Sequence, residues 1–148
     1  MKLKAKTLRR LLNCWPPFIG AGIKVNAISD DFSFAKVELK LRWYNRNYVR
    51  THYGGSLFSM TDPFYMLLLL KKLGKDYIVW DKTAEINYIA PGKTHVYAEF
   101  QLDQQTIETI KQKTANGEKY YPKFTIRIYD TKGETVATVV KTLYIKRK

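Results

Sequence analysis

The sequence predicts an α+β chain in which an antiparallel sheet of about six strands wraps around one long central helix, and three observations predict it. Apolar and polar residues alternate at period two over residues 23–27, 34–43, 78–89, 95–102, 121–129 and 135–145, the pattern of half-buried strands. Residues 56–73 are hydrophobic nearly all round, which marks a buried helix. Strand follows strand across turn signals rather than alternating regularly with helices, which favours antiparallel pairing.

The elements follow in order. Leu8, Leu11 and Leu12 stand at i, i+3, i+4 in a short amphipathic helix over about residues 3–14, which stops before Trp15-Pro16-Pro17. The first strand pair, residues 23–27 and 34–43, is punctuated by Asp30-Asp31. A polar loop, residues 45–52, leads into the central helix. Beyond Gly74, residues 78–89 and 95–102 read as a hairpin broken at Pro91-Gly92. Asp103 can cap a helix that runs to about Thr114 and ends at Asn116-Gly117. Two long strands joined at Asp130-Thr131-Lys132-Gly133 complete a single domain of 148 residues.

Composition excludes several classes. The longest unbroken apolar run, Phe64 to Leu70, is far short of the roughly 20 residues that span a bilayer, and Met1-Lys2-Leu3-Lys4 opens no secretory leader. The expected location is the cytoplasm. Cys14 has no second cysteine to pair with, and with two histidines it cannot supply the usual zinc ligand set, so neither metal nor cofactor is expected. The formal charge of +13 would attract a nucleic acid, a membrane surface, a phosphate-rich cofactor or an acidic carrier protein. Its basic residues form only modest clusters, Lys2, Lys4, Lys6, Arg9 and Arg10 and then Lys146, Arg147 and Lys148, a dispersal that disfavours nucleic acid.

The chemistry concentrates between Asn47 and Asp62. Gly54-Gly55 let a backbone approach a ligand closely, and the first N–H groups of a helix lack intrahelical partners, so they can donate to a carbonyl oxygen that gains negative charge during acyl transfer. Asp62 falls in the apolar stretch, where a carboxylate must be paired, solvated by a cleft or shifted toward base work. Eight positions separate Gly54 from Asp62, about 12 Å along one helix, so one thioester cannot touch both within a subunit. If both act, each site combines Gly54 of one subunit with Asp62 of another, in a homodimer. Thr61-Asp62-Pro63 also fits a helix start, which would leave the glycines in a loop; otherwise Pro63 kinks a continuous helix.

Asn47, Gly54, Gly55 and Asp62 resemble the signature of the hotdog thioesterase superfamily, in particular its phenylacetate-pathway acyl-CoA thioesterase type, and Ala84 to Lys93 resembles the strand that follows that family's helix. The resemblance implies a hotdog fold, hydrolysis of an acyl-CoA or acyl-carrier-protein thioester, and a dimer or tetramer. It implies that Asp62 acts as base or nucleophile, that a Gly54 or Gly55 N–H polarises the carbonyl, and that Asn47 orients loop or substrate. His52, Tyr53 and Ser59 would contact substrate. The chain departs from the pattern in placing Tyr53 at the family's histidine, with His52 one residue early, and Arg50 where a glycine is usual. Tyr53 at the family's histidine keeps open a non-catalytic acyl- or lipid-binding hotdog protein, and the +13 charge with the aromatic residues keeps open, more distantly, a nucleic-acid binder.

Overall fold

The computed structural model describes residues 3–148; Lys2 of the basic N-terminal cluster lies outside them. In chain order the elements are α1 (Ala5–Asn13), α2 (Pro16–Ala21), β1 (Ile23–Ile28), β2 (Phe34–Leu39), α3 (Gly54–Ser59), α4 (Phe64–Leu73), β3 (Tyr77–Tyr88), β4 (Val96–Gln101), α5 (Gln104–Lys113), β5 (Lys119–Tyr120), β6 (Lys123–Asp130) and β7 (Thr135–Arg147). The strands form one antiparallel sheet of seven in the order β1-β2-β4-β6-β7-β3, with β5 on β7.

The core lies between this sheet and α4. Phe64 and Tyr65 meet Phe100 of β4 at ring-centroid distances of 4.8 and 5.4 Å, and Tyr65 stacks on Phe124 of β6 at 4.2 Å. Leu68 and Leu69 are buried behind them. Aromatic rings supply the largest apolar area per residue, so this cluster sets the distance between helix and sheet.

Two expectations need correction. The long helix over residues 56–73 is two helices, because Pro63 has no N–H to give to the Ser59 carbonyl and its ring crowds that turn. The Ser59 carbonyl accepts from the Asp62 N–H instead (3.2 Å), Thr61 N–H turns back to Phe58 (3.1 Å), and α4 restarts at Phe64 with Pro63 as its N-cap. Residues 78–89 and 95–102 are not a hairpin: β3 pairs with β7, while β4 lies between β2 and β6. Alternation marks a strand but not its partner, and here the Ile89 and Ala90 N–H groups stay on the Val136 carbonyl (2.8 and 3.0 Å) before the chain crosses the molecule. The first helix stops before Trp15-Pro16-Pro17 as expected, and the prolines open α2, since proline is well tolerated in a helix's first turn.

Other expectations hold. Asp103 caps α5 by accepting the Thr106 N–H at 2.7 Å, and β6 and β7 form the final hairpin. The sheet ends on β1, against which α1 and α2 pack, and on β3, whose outer edge has no strand beside it among the described residues.

Candidate functional site

The loop before α3 is built by Asn47. Its Oδ1 accepts from the Val49 and Thr51 N–H groups (3.1 and 3.0 Å), while its Nδ2 donates to Thr51 Oγ1 (3.0 Å) and the His52 carbonyl (3.2 Å). Asn47 therefore shapes the loop with the groups that would otherwise be offered to a substrate. The turn brings Arg50 to φ +66°, left-handed backbone that carries a Cβ penalty, which is the physical reason glycine suits this position. Arg50→Gly is expected to stabilise the fold by about 0.5–1 kcal/mol, strain relief exceeding glycine's added unfolded-chain entropy, and a urea melt measures it.

His52 is 4% exposed, a core histidine rather than a surface one. Its N–H donates to the Gly92 carbonyl (2.9 Å) and its Nε2–H donates to the Thr94 carbonyl (2.6 Å), so the loop is stitched to the segment that leaves β3. Nδ1 is buried with no partner among the described residues. Burial lowers the His52 pKa, opposed by the Thr94 carbonyl and helped by nearby His95. The unfolded chain therefore binds a proton at this residue more readily than the folded one. Stability is full above the unfolded value of 6.5 and falls as pH drops from there toward the lowered folded value. Thermal melts of wild type and His52→Gln across that range are expected to show this acid-side loss in the wild type alone.

Gly54 and Gly55 open α3, and the earliest α3 N–H seen to find a backbone acceptor is that of Ser56, on the Tyr53 carbonyl at 3.0 Å. A side chain at either glycine would press on a tyrosine ring, which would have to shift. A Cβ on Gly54 would lie 2.8 Å from Tyr88 Oη, and one on Gly55 would lie 2.6 Å from Tyr53 Cε1. The two glycines lie against two tyrosine rings and line a cavity of ≈ 750 Å³ that Asn47, His52, Tyr53, Leu57 and Tyr88 also line. Its size is within the ≈ 300–1,000 Å³ range of small-molecule sites. Tyr88 was not foreseen as a site residue; alternation put it on a strand, and only the sheet carries it to Gly54.

Ser59 is turned away from this cavity. Its Oγ donates to the Gly55 carbonyl one turn back (2.8 Å), and it lines a second groove with Tyr44, Arg46, Asn47, Tyr53 and Gly55. Tyr53 is the wall between the two spaces. Trp43, which precedes this loop, lines neither and is 79% exposed.

Asp62 is exposed, at the break between α3 and α4, and it does not line the cavity at Gly54. The expectation of a carboxylate embedded in an apolar helix fails because the helix is interrupted at that residue. Beneath the break lies a group that sequence reading missed. Lys141 is 1% exposed, and its Nζ donates both to the Asp62 main-chain carbonyl and to Asp81 Oδ2, the latter at 2.9 Å. The signal was available: in the alternation Val139, Lys141, Leu143, Ile145, a lysine occupies an inward-facing place among apolar neighbours. Asp81 Oδ1 is buried without a partner among the described residues, so the lysine's charge is what compensates this carboxylate.

Comparison with known proteins places this arrangement. The family model described as a domain of unknown function (DUF4442) matches residues 4–145. No curated protein matches the chain. Among solved structures, a Pseudomonas aeruginosa protein of unknown function, described as a probable thioesterase, superposes with TM-score 0.86 at 16% identity, over 100% of this chain and 99% of that one. A Haemophilus influenzae thioesterase gives TM-score 0.70 at 12% identity, over 99% and 93% of the two chains. The Escherichia coli PaaI protein of the phenylacetic acid degradation operon gives 0.66 at 17% identity, over 97% and 91%. The fold is the hotdog fold.

Proposed function

The chain belongs to the DUF4442 family, whose description assigns no activity, and on that footing we propose that it is an acyl-CoA or acyl-carrier-protein thioesterase working as a homodimer. One observation carries the reading: the cavity of ≈ 750 Å³ is lined by Gly54 and Gly55, the first residues of α3, whose N–H groups precede any intrahelical acceptor. A thioester carbonyl seated there meets donors aimed where negative charge develops, which lowers the barrier to attack. The likeness to thioesterase structures adds support through fold alone.

The attacking chemistry needs a carboxylate that the cavity of one subunit lacks, since neither Asp nor Glu lines it. Asp62, exposed on the helix break, would complete the site of a second subunit, activating water or attacking the carbonyl itself. An open β3 edge of 12 residues with Trp80 and Tyr88 exposed supports such pairing, because long unpaired edges invite a second strand. His52 is spent on Thr94, so it would shape the cavity wall without transferring a proton.

The test is free-thiol release from short, medium, long and aromatic acyl-CoAs and from acyl-carrier-protein substrates. Turnover of at least one class is expected, together with a dimeric mass at micromolar concentration. A monomer would remove the composite site. The absence of a carboxylate from the single-subunit cavity also supports a second reading, an acyl-binding hotdog protein without catalysis, and acyl-CoA binding with no turnover would favour it.

A further inference from the structure

We infer that the face built by α2 and the segment after β2 docks on an anionic lipid bilayer. The observation is the joint placement of exposed apolar and basic side chains in two stretches that carry no acid of their own, although Lys24 stands opposite Glu38 across the β1–β2 pair. The chain has no Asp or Glu before Asp30, and none between Glu38 and Asp62. These two acid-free stretches meet in space: Asn45 Nδ2 donates to the Ala21 carbonyl (3.1 Å) and to the Lys40 carbonyl (2.8 Å), locking the end of α2 onto the segment after β2. Ile19, Lys24, Lys40 and Arg42 line one shallow depression across that seam.

Large apolar groups rise around it. Trp15 is 44% exposed, Ile19 58% and Trp43 79%. Trp15 and Ile19 are one helical turn apart, and the Ile19 N–H donates to the Trp15 carbonyl (3.0 Å). Trp43 follows Arg42 directly and meets Tyr44 edge-on at 5.5 Å, and both residues are exposed. Elsewhere the described surface exposes large hydrophobics on α1 at Leu11, in the loop before α3 at Tyr48, Val49 and Tyr53, along and just after β3 at Trp80, Tyr88 and Ile89, and at Tyr121.

Charge and shape select the occupant. A second copy would set Lys24, Lys40 and Arg42 against their own counterparts, a like-charge contact that repels. A nucleic acid would use the cations and stack on the tryptophans, but it offers nothing to Ile19. A bilayer of anionic lipid uses every component: tryptophan sits at headgroup depth, the aliphatic side chain enters the acyl boundary, and lysine and arginine meet the phosphates. Because this face flanks β1 while the open edge is β3, docking is compatible with the proposed dimer yet does not rest on the thioesterase reading.

The experiment is cosedimentation of the full chain with phosphatidylcholine vesicles, with and without about one-third phosphatidylglycerol, read alongside tryptophan emission. Binding is expected only to the anionic vesicles, with a blue shift, and is expected to be lost at about 0.5 M sodium chloride. The pairs Lys24→Ala with Arg42→Ala, and Ile19→Ala with Trp43→Ala, alter exposed side chains, and melts check that each pair folds. The charge pair is expected to weaken binding roughly thirtyfold and the apolar pair at least about tenfold. No binding to anionic vesicles would overturn the proposal, as would equal binding to neutral ones. So would an unchanged affinity in the Ile19 and Trp43 pair, or tighter salt-sensitive retention on a single-stranded oligonucleotide, since either would mark the face as a charge site for another polyanion.

Discussion

Asp62→Asn is expected to lower thioester turnover by roughly 10²–10⁴-fold, the range for removing a positioned proton-transfer group. The substitution keeps the side chain's shape and removes only its capacity to take a proton or attack a carbonyl. Asp62 is exposed, so the variant should fold and melt as wild type does. KM should change little, because the cavity that would hold the acyl group is lined by other residues. Free-thiol release at equal folded concentration measures the effect, and a wild-type rate in the variant would remove Asp62 from the mechanism. Mixing Asp62→Asn with Gly54→Val chains sharpens the test. If each site draws Gly54 from one subunit and Asp62 from the other, a heterodimer of two inactive chains regains one intact site.

Lys141→Met should destabilise the fold by about 2–4 kcal/mol, which for a chain of this length corresponds to a drop in Tm of roughly 4–16 °C. The reason is what the lysine leaves behind. Among the described residues Asp81 would keep a carboxylate with one buried, partnerless oxygen and lose the one cation paired with it, and the Asp62 carbonyl would lose its donor. Partial exposure of Asp81 lets water reach part of that charge, which places the estimate below the full cost of an isolated buried ion. Adding Asp81→Leu to Lys141→Met is expected to restore most of the stability, since removing both partners leaves no uncompensated charge. Thermal melts of the two variants decide this. A single variant as stable as wild type would show that the pair contributes nothing.

Much of the fold was legible in residues 23–28, 104–113 and 123–147, where alternation, an Asp cap and a Gly-containing turn act over a few residues and suffice to specify strand, helix and hairpin. The central helix was legible in hydrophobicity but not in continuity, because the outcome at Pro63 depends on whether Phe64 and Tyr65 gain enough against Phe100 and Phe124 to restart the helix at once. In the candidate site, the Gly54-Gly55 start of α3 was readable from local backbone requirements. The engagement of His52 with Thr94, and the reach of Lys141 to the Asp62 carbonyl, were not. Those pairs are 42 and 79 residues apart in sequence, beyond any local pattern.

By itself, the sequence determined the class of the fold, the position of most strands and the loop and glycines at which the chemistry is proposed, because side-chain periodicity and backbone freedom are local properties. The tertiary structure alone decided that β3 pairs with β7, that Tyr88 stands over Gly54, that Asp62 lies outside the cavity and that a buried lysine supports the helix break. Each of these follows from which distant segments pack together, and such packing is selected by the free energy of the whole core rather than by any stretch of residues within it.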